Sequence, residues 1–291
     1  MHSTCSDAPA EAVTLSARAT IAAALAAALD DPLRVAACTP VSPDKVLLAD
    51  AWEEVVGMFA ACAPIELGVG ERAPRPDDGA GLSRWLAMSA DLRGRAYVHV
   101  FGLVVSRLCP PFETEYCATK DTFFRAQQMA DIAGFYRAFS CATVAGASLR
   151  PDHASPELSF IALLLSKLAR IAWECGGEEK QEEVRVCFQA LRAFIRDHAS
   201  WWMPAFANAV LHRVDTLAGA IRNADERNAV LALGGAASCL RSWMALERHL
   251  AGVEPARRIT QASVEADVDP SADECGACGT CADGAGPHSA G

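Results

Sequence analysis

Strand-forming sequence is scarce in this chain. It has only three tyrosines, and its Val, Ile and Thr residues rarely gather into runs of strand length. That excludes a sheet-based fold and leaves alanine and leucine to dominate a hydrophobic fraction of 52%. Both favour helix, because they lose little rotamer and backbone freedom there. A basic face is also missing: the formal net charge is −10 and the pI about 5.2. Phosphate contacts dominate nucleic-acid affinity, so a nucleic-acid partner is excluded, whereas an acidic field suits a cationic peptide. No basic n-region opens the chain, and the Ala-rich stretch from Leu15 to Leu29 carries Arg18 and ends on Asp30-Asp31. It reads as a helix rather than a signal peptide. No run is expected to reach the roughly 18 apolar residues of a membrane span, so stable membrane insertion is excluded and the cytoplasm is the expected compartment. No internal repeat is visible.

Cysteine, by contrast, is plentiful, with twelve in the chain. Cys5, Cys38, Cys62, Cys109, Cys117, Cys141, Cys175, Cys187 and Cys239 are scattered singly, several on apolar helix faces. In a reducing compartment these behave as small hydrophobes, not as a disulfide framework. The other three form Cys275-Gly-Ala-Cys278-Gly-Thr-Cys281. This is the opening of a ferredoxin-type cluster motif without its fourth cysteine and proline. A zinc site would need a fourth ligand, and His288 is the candidate near in sequence. The alternative is a disordered tail bearing reactive thiols.

Helical periodicity and stop signals divide the chain into an N-terminal helix and linker (1–41), an all-helical domain (42–253) and an acidic, disordered tail (254–291). Helices are expected over Leu15–Leu29, then from Ser42-Pro43-Asp44, an N-cap with proline at the first helical position, to Cys62. A Gly/Pro/Asp loop covers residues 65–81. Helix resumes over Leu82–Leu108, with a break near Gly94, and stops at Cys109-Pro110-Pro111. Further helices are expected over Thr119–Phe139, from Ser155-Pro156-Glu157 to Gly176-Gly177, and over Glu178–Ala199, Trp201–Arg222 and Asp225–Leu250. The tail holds seven acids against Arg257 and Arg258 and almost no large apolar residue, the composition of a disordered segment. The whole is an all-α single globular domain with a tail.

Pro110 to His153 carries the most information. Pro110-Pro111-Phe112-Glu113-Thr114-Glu115-Tyr116 sets two acids beside two aromatics, and alternation presents Glu113 and Glu115 together. A helix follows with Met129, Ile132, Phe135, Tyr136 and Phe139 on one face, then a loop closing on Pro151-Asp152-His153. Paired carboxylates serve acid–base chemistry, and Asp152 with His153 has the residue types of a triad. No nucleophile stands in a recognisable elbow, so catalysis is not expected. An acidic, aromatic peptide-binding surface on a helical scaffold is, with the Pro-Asp-His loop and Tyr136 as its contact face.

The runs PPFETEY, FRAQQMADIAGFYRAF and RPDH followed by PELSF resemble the TorD/DmsD/NarJ-like chaperones, which serve molybdenum enzymes of the dimethyl-sulfoxide-reductase type. The resemblance is sharp over Pro110–Trp202. It implies a cytoplasmic all-helical protein without catalytic chemistry or a required cofactor. Such a protein binds the apo catalytic subunit of a molybdoenzyme, often through its N-terminal twin-arginine signal, until the cofactor is inserted, as a monomer or dimer. It also implies a client-binding region at Tyr136, Phe139, Asp152, His153 and Glu157, to which the residue pattern adds Glu113, Glu115 and Tyr116. Where the family commonly has an acid before Pro-Asp-His, this chain has Leu149-Arg150. Two rival readings are a metal or iron–sulfur carrier acting through Cys275, Cys278 and Cys281, and a helical enzyme using Asp152 and His153.

Overall fold

A computed structural model describes residues 8–32, 45–102, 107–119, 121–141, 150–174 and 178–257. The helix start at Ser42-Pro43-Asp44, the Gly176-Gly177 stop and Cys275, Cys278, Cys281 and His288 lie outside the described residues. The architecture is all-helical: α1 (Ala8–Leu29), α2 (Lys45–Ala61), α3 (Pro76–Leu86), α4 (Ala90–Phe101), a 3-10 turn (Glu113–Glu115), α5 (Thr122–Ala138), α6 (Ala154–Trp173), α7 (Glu178–Phe194), a π turn (Ile195–Ala199), α8 (Ser200–Ala218) and α9 (Ala224–Leu250). Among the described residues no strand forms, and an isolated antiparallel bridge joins Phe112 to His153.

Local chemistry explains several boundaries that differ from expectation. Helix begins at Pro76, inside the expected loop, because Asp78 accepts from the Arg75 amide at 2.9 Å and proline needs no partner at the first position. The break before α4 falls at Ser89, whose hydroxyl accepts from the Leu92 amide, and not at Gly94, which is buried within α4. The helix expected to run to Leu108 stops at Gly102, at φ 78°. The cap of α6 is His153, not Ser155: its Nδ1 accepts from the Ser155 amide at 3.1 Å. Ser140 at φ 55° ends α5, where the Cys141 amide reaches back to the Tyr136 carbonyl at 2.8 Å. The two helices expected on either side of Ser200 are one continuous run through the π turn. Trp202 is buried within it and Trp201 half-buried.

One apolar core joins these elements. α9 is its axis and packs on α8, α3, α4 and α1, while α1 lies along α6. α3 can cross α9 closely because glycine meets glycine: a Cβ on Gly235 would lie 2.7 Å from the Gly81 Cα. The fully buried Trp85 donates from Nε1 to the Ala28 carbonyl at 2.9 Å, tying α3 to α1. Arg18 forks onto the buried Glu247 at 2.8 and 2.7 Å, tying α1 to α9. Contrary to the sequence expectation, Ala10–Leu29 and Ala224–Leu250 are long and apolar enough to cross a membrane. In this fold 61% and 78% of those windows are buried inside the protein, the burial expected of core helices.

Candidate functional site

The 3-10 turn is laid against the start of α6 by backbone pairing. The Glu113 amide donates to the Asp152 carbonyl at 2.8 Å, and the Ala154 amide to the Pro111 carbonyl at 2.9 Å. Asp152 closes the corner: its Oδ2 accepts from the Thr114 hydroxyl at 2.7 Å and from the Thr114 amide at 3.3 Å. On the α5 side, Tyr136 donates its hydroxyl to the Pro151 carbonyl at 2.9 Å. Its ring packs on Phe160 and Phe194, and Phe139 also packs on Phe160. Desolvation, then the charges of Glu157, Glu113 and Asp152, push the Tyr136 phenol well above its usual range, so it serves here as a donor.

Beneath the turn lies a buried polar chain that spans three elements. His198, set inward by the π turn, has Nδ1 3.2 Å from Glu113 Oε2 and Nε2 3.2 Å from Asp131 Oδ2 on α5. Gln128 on α5 donates to Glu113 Oε1 at 2.7 Å. With a carboxylate at each ring nitrogen, imidazolium is the form that satisfies both. Burial opposes that charge, but the hydrogen bond and charge of Glu113 and then Asp131 outweigh it, and the His198 pKa is raised. Glu157 accepts from the Trp202 indole at 3.1 Å. Desolvation first, then the charge of Glu113, raises its pKa well above the usual carboxylate value. Tyr116 packs against Trp202 in a tilted arrangement, with 5.5 Å between ring centres.

The eight residues expected to form the site therefore belong to one assembly, but not to one surface. Glu113, Tyr116, Tyr136, Asp152, His153 and Glu157 are all buried. This corrects the expectation that the Pro-Asp-His loop and Tyr136 form a ready contact face. They are the frame of the region, and Glu115 and Phe139 are its half-exposed members. Glu113 and Glu115 do not point together either, because a 3-10 turn separates i and i+2 around its axis. Glu113 faces His198, and Glu115 lies between Arg125 and Arg150, each 3.5 Å away. The acid–histidine pair is engaged structurally, Asp152 by Thr114 and Arg150 and His153 by the Ser155 amide. That replaces the triad reading.

Sequence reasoning missed Thr114, Gln128, Asp131 and His198 as members. Gln128 and Asp131 were within reach, since they sit four residues before Ile132 and Phe135 on the helical face already identified. Nothing in the sequence signals the π turn that aims His198 inward.

The outward side of α5 is unlike the frame beneath it. Phe123 is 76% exposed and Phe124 43% exposed in its first turn. Beside them a cleft of about 590 Å³ is lined by Phe124, Gln127, Gln128, Asp131, Gly134 and Arg137. The Asp131 side chain, 65% exposed, is where the buried chain from Glu113 and His198 reaches solvent.

No curated protein and no solved structure matches the chain. A family model described as nitrate reductase delta subunit matches residues 80–208, the span running from α3 through the 3-10 turn, α5, α6 and the π turn into α8. Over that span the chain is similar to the nitrate reductase delta subunit family, NarJ/TorD-like chaperones of molybdoenzyme maturation.

Proposed function

We propose that this chaperone binds the apo catalytic subunit of a molybdopterin oxidoreductase in the cytoplasm, keeping it open to cofactor insertion before assembly or export. The carrying observation is the outward face of α5, where exposed Phe123 and Phe124 border a cleft with Asp131 and Gln127 on its wall. Exposed aromatic side chains of this size mark partner sites, and an apolar helical segment carrying a cation would bury against the phenylalanines and orient on the acid. A twin-arginine signal is such a segment. Apolar burial supplies most of the affinity, and exposed charge sets orientation and rate. Glu113, Tyr116, Tyr136, Asp152, His153 and Glu157 act here by holding α5 and the 3-10 turn in place, with Glu115 and Phe139 at the margin.

The test is affinity capture with the tagged full chain from native cells, with mass-spectrometric identification and cofactor analysis of what is retained. A cofactor-free molybdopterin oxidoreductase subunit is expected. Replacing Phe123 and Phe124 with serine should cut its recovery at least roughly tenfold while leaving the melting temperature in place. Capture that ignores the double substitution would remove α5 from the site. Capture without any molybdoenzyme subunit would end the reading.

A second reading rests on the spacing of Cys275, Cys278 and Cys281, which suits a zinc ion or an iron–sulfur cluster once a fourth ligand is supplied. It predicts metal or sulfide in anaerobically purified protein that disappears when residues 258–291 are deleted.

A further inference from the structure

Arg150 fills a complete receptor for a guanidinium group. Its Nε is 3.0 Å from Asp152 Oδ1 and its Nη2 2.7 Å from Asp152 Oδ2, a two-point fork on one carboxylate. Nη2 also donates to the Thr114 hydroxyl at 2.6 Å, and Nη1 lies 3.5 Å from Glu115 Oε1. The guanidinium carbon stands 4.3 Å from the centre of the Phe112 ring. A bidentate carboxylate, a hydroxyl, a second acid and an aromatic platform are together what distinguishes a planar guanidinium from a compact ammonium.

The walls of this receptor are held by other contacts. The Glu113 amide fixes the Asp152 backbone, the Thr114 amide fixes its carboxylate, and Phe112 sits edge-on to His153 at 5.2 Å. The occupant reaches in from solvent: the Arg150 side chain is 37% exposed, whereas Asp152 beneath it is fully buried. We propose that this is a guanidinium-binding site which Arg150 occupies in cis, and that an arginine side chain of a bound polypeptide takes its place. Asp152 could not be left empty, because a buried carboxylate without a cation is strongly unfavourable. The event is therefore an exchange of one guanidinium for another. Since the tethered occupant competes at high effective concentration, a lone arginine exchanges poorly, and one carried by a segment with additional contacts exchanges well. The identity of that polypeptide rests on the chaperone reading; the chemistry of the site does not.

The experiment uses the full chain in two arms. In the first, Arg150→Ala is melted with N-ethylguanidinium or with ethylammonium at equal low concentration. Ethylguanidinium alone should raise the melting temperature, saturably, and should leave the wild-type protein unmoved. In the second, a labelled peptide with an arginine pair, and its lysine counterpart, are titrated into wild type and Arg150→Gln. The arginine peptide should bind the variant roughly tenfold more tightly, and the lysine peptide should gain little. Equal stabilisation by both cations, or by neither, overturns the proposal, as does an Arg150→Gln protein without the arginine-specific gain. If Arg150→Ala does not fold, Arg150→Lys, which keeps the charge and loses the fork, stands in for it in the first arm. Capture of a molybdoenzyme subunit without ethylguanidinium rescue would sink the exchange and leave the chaperone reading standing. Rescue without such capture would do the reverse.

Discussion

Two buried residues make stability depend on pH in the same direction. His198, with its pKa raised above 6.5 by Glu113 and Asp131, contributes stability that is fully present below that unfolded value and is lost as pH rises through the folded one. Glu157 binds its proton more tightly folded than unfolded, so stability falls as pH rises from 4.5 towards its folded pKa. The full chain should therefore melt lower as pH increases from 6 to 9. His198→Gln should flatten the part of that slope above 6.5. Glu157→Gln keeps an acceptor for Trp202 and removes the proton dependence, so it should melt higher than wild type above neutrality. Glu157→Ala, which strands the Trp202 indole and opens a cavity, should lose about 2–4 kcal/mol. Thermal melts of the three variants across that range check all of this. A steeper slope in His198→Gln would show that the imidazole is neutral in the fold. The family resemblance put Glu157 among the expected site residues by its place after Pro-Asp-His. Its raised pKa was not legible there, because that depends on burial first and then on Glu113, which is far from it in sequence.

Among elements, α3 and α9 cross closely. Gly81 and Gly235 allow it, and a methyl on either would meet the other's backbone. Gly235→Ala is expected to cost about 1–3 kcal/mol through overpacking. Gly57 in α2 has open space where a Cβ would go, so Gly57→Ala should gain about 0.5–1 kcal/mol from helix propensity alone. Chemical denaturation of the pair, with equal slopes, distinguishes packing from propensity. Equal effects at both sites would contradict the close crossing. Periodicity found most of the helices, and the caps explain where it misplaced their ends. It missed the start of α3 because Pro-Asp-Asp-Gly resembles loop composition, while the Asp78 side chain makes it a helix start. It split the run from α7 to α8 because Pro204 and the Trp pair look like a boundary. The π turn that bridges them is a backbone adjustment with no side-chain signature.

At the scale of the whole molecule, α1 is part of the core and not an appendage. It buries Ile21, Leu25 and Leu29, receives the Trp85 hydrogen bond and supplies the cation for Glu247. Deleting residues 1–41, the segment that sequence composition sets apart, should leave insoluble or molten protein, since the α6 face opens and a buried carboxylate loses its partner. Deleting residues 258–291 should leave the melting transition in place. Solubility, near-ultraviolet circular dichroism and calorimetry of the two truncations check both outcomes. A cooperative transition in the first would show that the remaining helices close the core by themselves.

The sequence by itself determined the fold class, because helix propensity and apolar spacing are local, and the family resemblance, because the motifs around Pro110–Trp202 are contiguous runs. It also named the acids and aromatics of the frame, since the turn and the Pro-Asp-His corner each carry their own signature, but not Phe123, Phe124 or Asp131 on the outward face of α5. Only the tertiary structure decided which of them face solvent. Burial of Glu113, Asp152 and Tyr136 follows from α5, α6 and the π turn converging on one corner. The pairing of Arg150 with Asp152, Thr114 and Phe112 needs a backbone bridge across forty residues. Proximity between distant segments is fixed by packing, and packing is a property of the whole chain.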